Sequence, residues 1–200
     1  MIRSLLSLGW ILSTLFIVGV VLLGTGLPGY NPTIDAIEEI SSFGFKYYFS
    51  FKLLLISVFT MLVIFSMALV KYARKRQLSI WPPVLLMTYA FSHLIMASQN
   101  DLFLLTEKSM LLDAFAYMTP LLFLYHWGDK LGPFFSKMTI RFILLFIAVF
   151  SIKLIATISP LPCFAECSGL VQRMLVFALF LYFPFLGLYL REQYEYRIGI

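Results

Sequence analysis

The chain has 200 residues and a formal charge of +5, with 61% hydrophobic and only 12% charged residues. An ordinary soluble domain carries about 25% charged residues. A soluble fold of this length cannot hide so much apolar surface, so lipid must act as solvent for most of it. The positive charge does not indicate nucleic acid, because the bases sit in short segments between apolar runs, the pattern of topology signals.

A spanning helix needs about 20 mostly apolar residues to cross roughly 30 Å of hydrocarbon with its own backbone satisfied. Six segments qualify: Leu5–Leu27, Tyr47–Val70, Ile80–Ser98, Met110–Trp127, Ile140–Ser159 and Leu170–Leu190. The expected fold is therefore all-α, a single transmembrane domain over residues 1–200 with a bundle of six helices. The first run follows one early charge, Arg3, and exceeds the about 7–15 residues of a signal-peptide core. Gly24-Thr25-Gly26 is a poor cleavage site, so this run reads as an uncleaved first helix.

After it, Pro28-Gly29 and Asn31-Pro32 are turn signals. Thr33 to Ser42 then reads as a short amphipathic helix on the outer surface, with Ile34, Ile37 and Ile40 as an apolar stripe. Asp35, Glu38 and Glu39 face away from that stripe, and Gly44 ends the segment. The alternative is a solvated linker.

Basic residues set the orientation. Arg3, Lys71, Arg74, Lys75, Arg76, Lys130, Lys137, Arg141, Arg191 and Arg197 all fall on one side, which becomes the cytoplasm. The other side has Lys46 and Lys108 as its only clearly extramembrane bases, with Asp35, Glu38, Glu39, Asp101, Glu107 and Glu166. Both termini are then inside, and a bacterial inner membrane is the expected location. Ser79 can cap the third helix, and Pro82-Pro83 lie in its first turn, where proline costs least. Tyr47, Tyr48, Tyr72, Trp81, Tyr125 and Trp127 fall near predicted interfaces, as aromatic belts do.

Charges inside spans are costly and usually have partners. Lys52, Asp113, Lys153 and Arg173, with the titratable His93, lie on five different predicted helices at a similar outer depth. Gln172 flanks Arg173. Two readings follow. In one, Asp113 pairs with Lys52, Lys153 or Arg173 and the network locks the bundle. In the other, three bases against one acid bind an anionic lipid headgroup or a small anion. His93 and His126 lie near opposite faces, which argues against a shared haem, and no cofactor or metal is expected. Cys163 and Cys167 in the last outer loop leave a disulfide and two free thiols as equal alternatives. No phosphate-binding loop, nucleophile elbow, zinc-protease or dinucleotide motif occurs.

Two stretches carry a resemblance. Pro28-Gly29-Tyr30-Asn31-Pro32 with Ile37-Glu38-Glu39-Ile40-Ser41-Ser42-Phe43-Gly44 follows the first helix, and Gly169-Leu170-Val171-Gln172-Arg173 opens the last. Both are similar to a prokaryotic six-helix membrane family catalogued as domain of unknown function 998. The resemblance implies that fold and an outer polar patch through Glu38, Glu39, Gln172 and Arg173. It implies no activity. Gln99-Asn100-Asp101 stands where that family has a Phe-Pro-Cys-Asp-like stretch.

The leading functional expectation is an outward pocket of Lys52, His93, Asp113, Lys153, Gln172, Arg173, Glu38 and Glu39 that binds or transports an anion. The second is a structural or accessory subunit with a membrane-protein partner. The third is an enzyme on lipid-linked substrates, using His93 or Asp113 as acid or base.

Overall fold

A computed structural model describes residues 2–98, 116–158 and 167–196. Among them every regular element is helical and no strand occurs. The order is α1 (Ile2–Leu6), α2 (Leu8–Thr25), a 3-10 turn (Ile37–Ser42), α3 (Phe45–Lys75), α4 (Trp81–Ser98), α5 (Thr119–Leu131), α6 (Pro133–Ile158) and α7 (Ser168–Tyr196). Four stretches are long and apolar enough to cross a membrane: Ile2–Thr25, Phe45–Lys75, Pro133–Ile155 and Ser168–Tyr194. This is the make-up of a membrane-embedded protein.

The other two expected spans are less complete. Helix α4 matches Ile80–Ser98 closely, but Pro82, Pro83, Thr88, Tyr89, Ser92 and His93 make it less apolar than the four. Helix α5 covers the inner part of Met110–Trp127 and runs on to Leu131, while 110–115 lie outside the described residues. Helix α3 is longer than Tyr47–Val70 at both ends. The bases that end a span do not end a helix: Arg74 and Lys75 occupy the last turn of α3, where they complement the negative end of its dipole.

Helix α3 packs along α2 and α4, while α7 packs along α2 and α6, and α5 lies against α6 and α4. The α2–α7 contact is close, and its cause is local. Pro184 sits inside α7 and has no backbone N–H, so the Phe180 carbonyl four residues earlier loses its helical donor. Ser13 of α2 supplies one, its Oγ lying 2.5 Å from the Phe180 carbonyl oxygen and 2.7 Å from that of Gly9. Two glycines permit the approach. A Cβ on Gly9 would lie 2.6 Å from the Phe183 carbonyl oxygen, and one on Gly187 would lie 2.3 Å from that of Leu6. Phe16 then stacks on Phe180 with ring centres 3.9 Å apart.

Two expectations are corrected here. Tyr72 and Trp127 are not belt residues: both are buried, and Trp127 Nε1 donates to the Ser79 carbonyl at 2.8 Å. The Trp127 ring finds its polar partner inside the fold, whereas Trp81 and Tyr125 are exposed. The segment after α2 is not an α-helix lying on a surface. Asn31 Oδ1 accepts from Thr33 N at 3.1 Å, making an Asx turn, and only Ile37–Ser42 is helical, as a 3-10 turn. Ile37 and Ile40 are buried against the bundle and Ile34 is exposed, so two of the three stripe residues dock on protein.

Gly187→Val should force α1 and α2 off α7, because the obstruction is backbone, at a cost of about 1–3 kcal/mol. Ser13→Ala should cost less, about 0.6 kcal/mol, the mean for an interhelical side-chain bond in a membrane. Thermal loss of the monodisperse peak in detergent ranks the two, and the reverse ranking would refute the close-crossing account.

Candidate functional site

The densest polar cluster lies where α7 begins, beneath the loop that follows α2. Gly169, Gln172 and Arg173 stand at i, i+3 and i+4 and so share one helix face. That face is turned to the loop. A Cβ on Gly169 would lie 2.3 Å from the Asp35 carbonyl oxygen, so only glycine lets the backbones come this close. Leu170 N donates to the Thr33 carbonyl at 3.0 Å, and Ser168 Oγ to that of Ile34 at 2.9 Å. Gln172 Oε1 accepts from Ile37 N at 3.0 Å.

Arg173 completes the clamp. Its Nη1 donates to the Pro32 carbonyl at 2.5 Å and to the Asp35 carbonyl at 2.7 Å, and Nη2 donates to the Tyr30 hydroxyl. The guanidinium is 8% exposed and lies 5.3 Å from the Tyr30 ring centre. The Tyr30 hydroxyl in turn donates to the Ala36 carbonyl at 3.0 Å, and its ring meets Phe43 edge-on. Asp35 turns its Oδ2 back to Asn31 N at 2.6 Å. Every one of these Arg173 bonds ends on an oxygen of the loop itself.

Burial pushes the Tyr30 phenol up to about 12, with the Arg173 charge opposing and those of Asp35 and Glu39 adding to the rise.

The other expected site residues take different surroundings. His93 is buried on α4, with Nδ1 3.1 Å from the Tyr89 carbonyl oxygen and its ring against Phe59 and Tyr89. That contact requires the proton on Nδ1. Lys52 is half-buried on α3, its Nζ 5.9 Å from the Tyr48 ring centre. Lys153 is exposed on α6. Glu39 is exposed beside the clamp, and its carbonyl accepts from Ser42 Oγ at 2.7 Å. Asp113, Cys163 and the side chain of Glu38 lie outside what is described, while Cys167 is half-buried just before α7. His126 is half-buried on α5, edge-on to Tyr125. Among the described residues no group of three or more His, Cys, Asp or Glu side chains could hold a metal ion.

Gln172 and Arg173 are thus brought together with the loop that carries Glu38 and Glu39. Tyr30, Gly169 and Ser168 were not among the expected site residues. The signal that could have found them is the spacing of Gly169 with Gln172 and Arg173 on one face. The two stretches that carry the family resemblance are the two sides of this clamp. Comparison with family models, curated proteins and solved structures gives no match.

Arg173→Ala would leave the part-buried carbonyls of Pro32 and Asp35 without this donor, each such loss being worth about 1–3 kcal/mol at most. Arg173→Lys should recover little, since an ammonium cannot span two carbonyls and a phenol as a planar fork does. Both variants should melt earlier in detergent and expose the 30–37 loop to protease; a wild-type melt and cleavage pattern for Arg173→Ala would rule out the clamp.

The phenol gives a second check. Its proton is held more tightly in the folded chain, so the stability it contributes is complete below about pH 10 and is lost as pH rises through about 12. The tyrosinate absorbance of wild type minus Tyr30→Phe should step near pH 12, and a step near the ordinary value of 10.0 would contradict the burial.

Proposed function

We propose that the chain is a multi-pass membrane protein with six spans, both ends in the cytoplasm of a bacterial cell, and a structural or accessory role. Its polar residues hold the bundle and the outward loop in shape, and its apolar helix faces meet lipid and a partner helix. The observation that supports this best is the direction of Arg173. A receptor for an anion needs donors aimed at an opening, and three donors of Arg173 are aimed at the chain's own oxygens. This favours the clamp over an outward site for a headgroup or small anion.

Uneven burial supports the partner. In the apolar 18-residue stretch of Pro133–Ile155, 17% of residues are buried, against 61% in that of Ser168–Tyr194. Helix α6 turns Leu144, Ile147, Phe150 and Leu154 outward, a broad apolar side for another helix. The orientation rests on the ten bases that share one side. Membership of the six-helix family is supported by the way its two motif stretches join in one clamp.

Two measurements test this. In a chain with Cys163 and Cys167 replaced by serine, Thr33→Cys should react with an impermeant maleimide on intact cells and Gln77→Cys only after permeabilisation. The opposite pattern overturns the orientation. Mild detergent extraction should yield a stoichiometric membrane partner, whereas a stable monodisperse monomer overturns the accessory role.

A further inference from the structure

The opposite end of the bundle carries a different arrangement. The C-terminal ends of α3, α5 and α7 meet around a cavity of about 240 Å³ lined by Tyr72, Arg76, Leu78, Lys130, Leu131 and Gln193. That is just under the roughly 300–1,000 Å³ of pockets for drug-sized ligands. Two of the six lining residues are bases and none is an acid. Among the described residues no carboxylate is within ion-pair distance of either base.

Both bases are held in place by one bond each. Arg76 Nη2 donates to the Gln193 carbonyl at 3.0 Å, and Lys130 Nζ donates to that of Gln77 at 3.2 Å. The walls are braced in the same way: Tyr189 donates to the Leu131 carbonyl at 2.6 Å. The contrast with Arg173 is in access. Arg173 is buried with Nη1 fully used, whereas Arg76 is half-buried, Lys130 is exposed, and both border the cavity. An arginine has five donors and a lysine three. Held by one carbonyl each, the two bases keep donors for a ligand and lose little freedom on binding it.

We propose that this cavity binds a phosphate group, with Arg76 and Lys130 as its ligands, and that in the membrane the group is the headgroup phosphate of an anionic lipid. The choice of lipid rests on the location. The cavity lies at the end of α3, whose last turn carries Arg74 and Lys75 and where the basic segment leaves the span, and basic pockets between helices at this level take anionic headgroups. Phe134 is exposed next to it, stacked on Tyr189, and offers an apolar surface where an acyl chain would begin. The assignment to the cytoplasmic leaflet rests on the orientation proposed above; the phosphate chemistry does not.

The purified full chain in a neutral detergent tests this, with phosphatidylglycerol, phosphatidylcholine or inorganic phosphate added. Phosphatidylglycerol should raise the thermal midpoint of wild type, and phosphatidylcholine should not. Lys130→Gln replaces an exposed residue, so it should melt like wild type without lipid while binding phosphatidylglycerol about tenfold more weakly, the loss of one bond to a charged group. Arg74→Gln with Lys137→Gln removes as much charge or more outside the cavity and should keep the response. Equal loss in that control would show diffuse attraction and overturn the site, as would an unchanged response of Lys130→Gln. A shift with inorganic phosphate as large as with the lipid would overturn the lipid as occupant while leaving the phosphate site. Maleimide labelling of Gln77→Cys from outside would overturn the cytoplasmic leaflet alone.

Discussion

Backbone carbonyls without helical donors set the terms of this structure. In a lipid environment an oxygen left without a donor is costly, because no water can replace the missing bond. At several places where the chain interrupts a helix or ends one, a side chain from elsewhere comes to meet the exposed oxygen. Pro184 frees the Phe180 carbonyl and Ser13 donates to it. The loop after α2 turns Pro32 and Asp35 carbonyls inward and Arg173 takes both. The α3–α4 connection presents Ser79 to Trp127. These donors come from residues distant in sequence, so satisfying the backbone and fixing the tertiary structure are one process.

This also explains why close approach and polarity occur together. A serine hydroxyl reaches only a short way, so Ser13 can serve Phe180 only if the two helices nearly touch, and Gly9 and Gly187 make that contact possible. Arginine reaches further, yet Gly169 is still needed, because Gln172 and Arg173 act on the loop from the first turn of α7. Small residues and donors are paired at both ends of α7. A large residue at either glycine would leave the donors in place and move their acceptors out of reach.

How much of this was legible in the sequence follows from what each feature depends on. The length of an apolar run is a property of consecutive residues, and so the helices lie close to where those runs predict them. Helix α3 overran its expected end because Lys71 to Lys75 oppose membrane burial but not helical backbone. Tyr72 and Trp127 looked like interface residues because composition cannot tell a ring beside water from a ring with a carbonyl inside the fold. Arg173 stood out as an expensive group, with Gln172 as its neighbour. Their acceptors did not, because Pro32, Asp35 and Ile37 contribute main-chain atoms that every residue possesses. Donor clusters therefore suggest an anion whenever the true acceptor is backbone.

The same reasoning separates the two ends of the bundle. A base is used up by the fold when oxygens of the chain take most of its donors and it is buried, as at Arg173. It remains available when a single carbonyl holds it at the edge of a cavity, as at Arg76 and Lys130. Helix C-termini explain why bases gather at this end at all, since three sets of terminal carbonyls create a negative potential there. That potential weakens the pull of Arg76 and Lys130 on an anion but does not cancel it, because the dipole effect is about half a charge per helix end, screened in water, while each base carries a full one. What decides between capping and binding is thus the number of unspent donors that face open space, a property of the folded chain that no stretch of its sequence states.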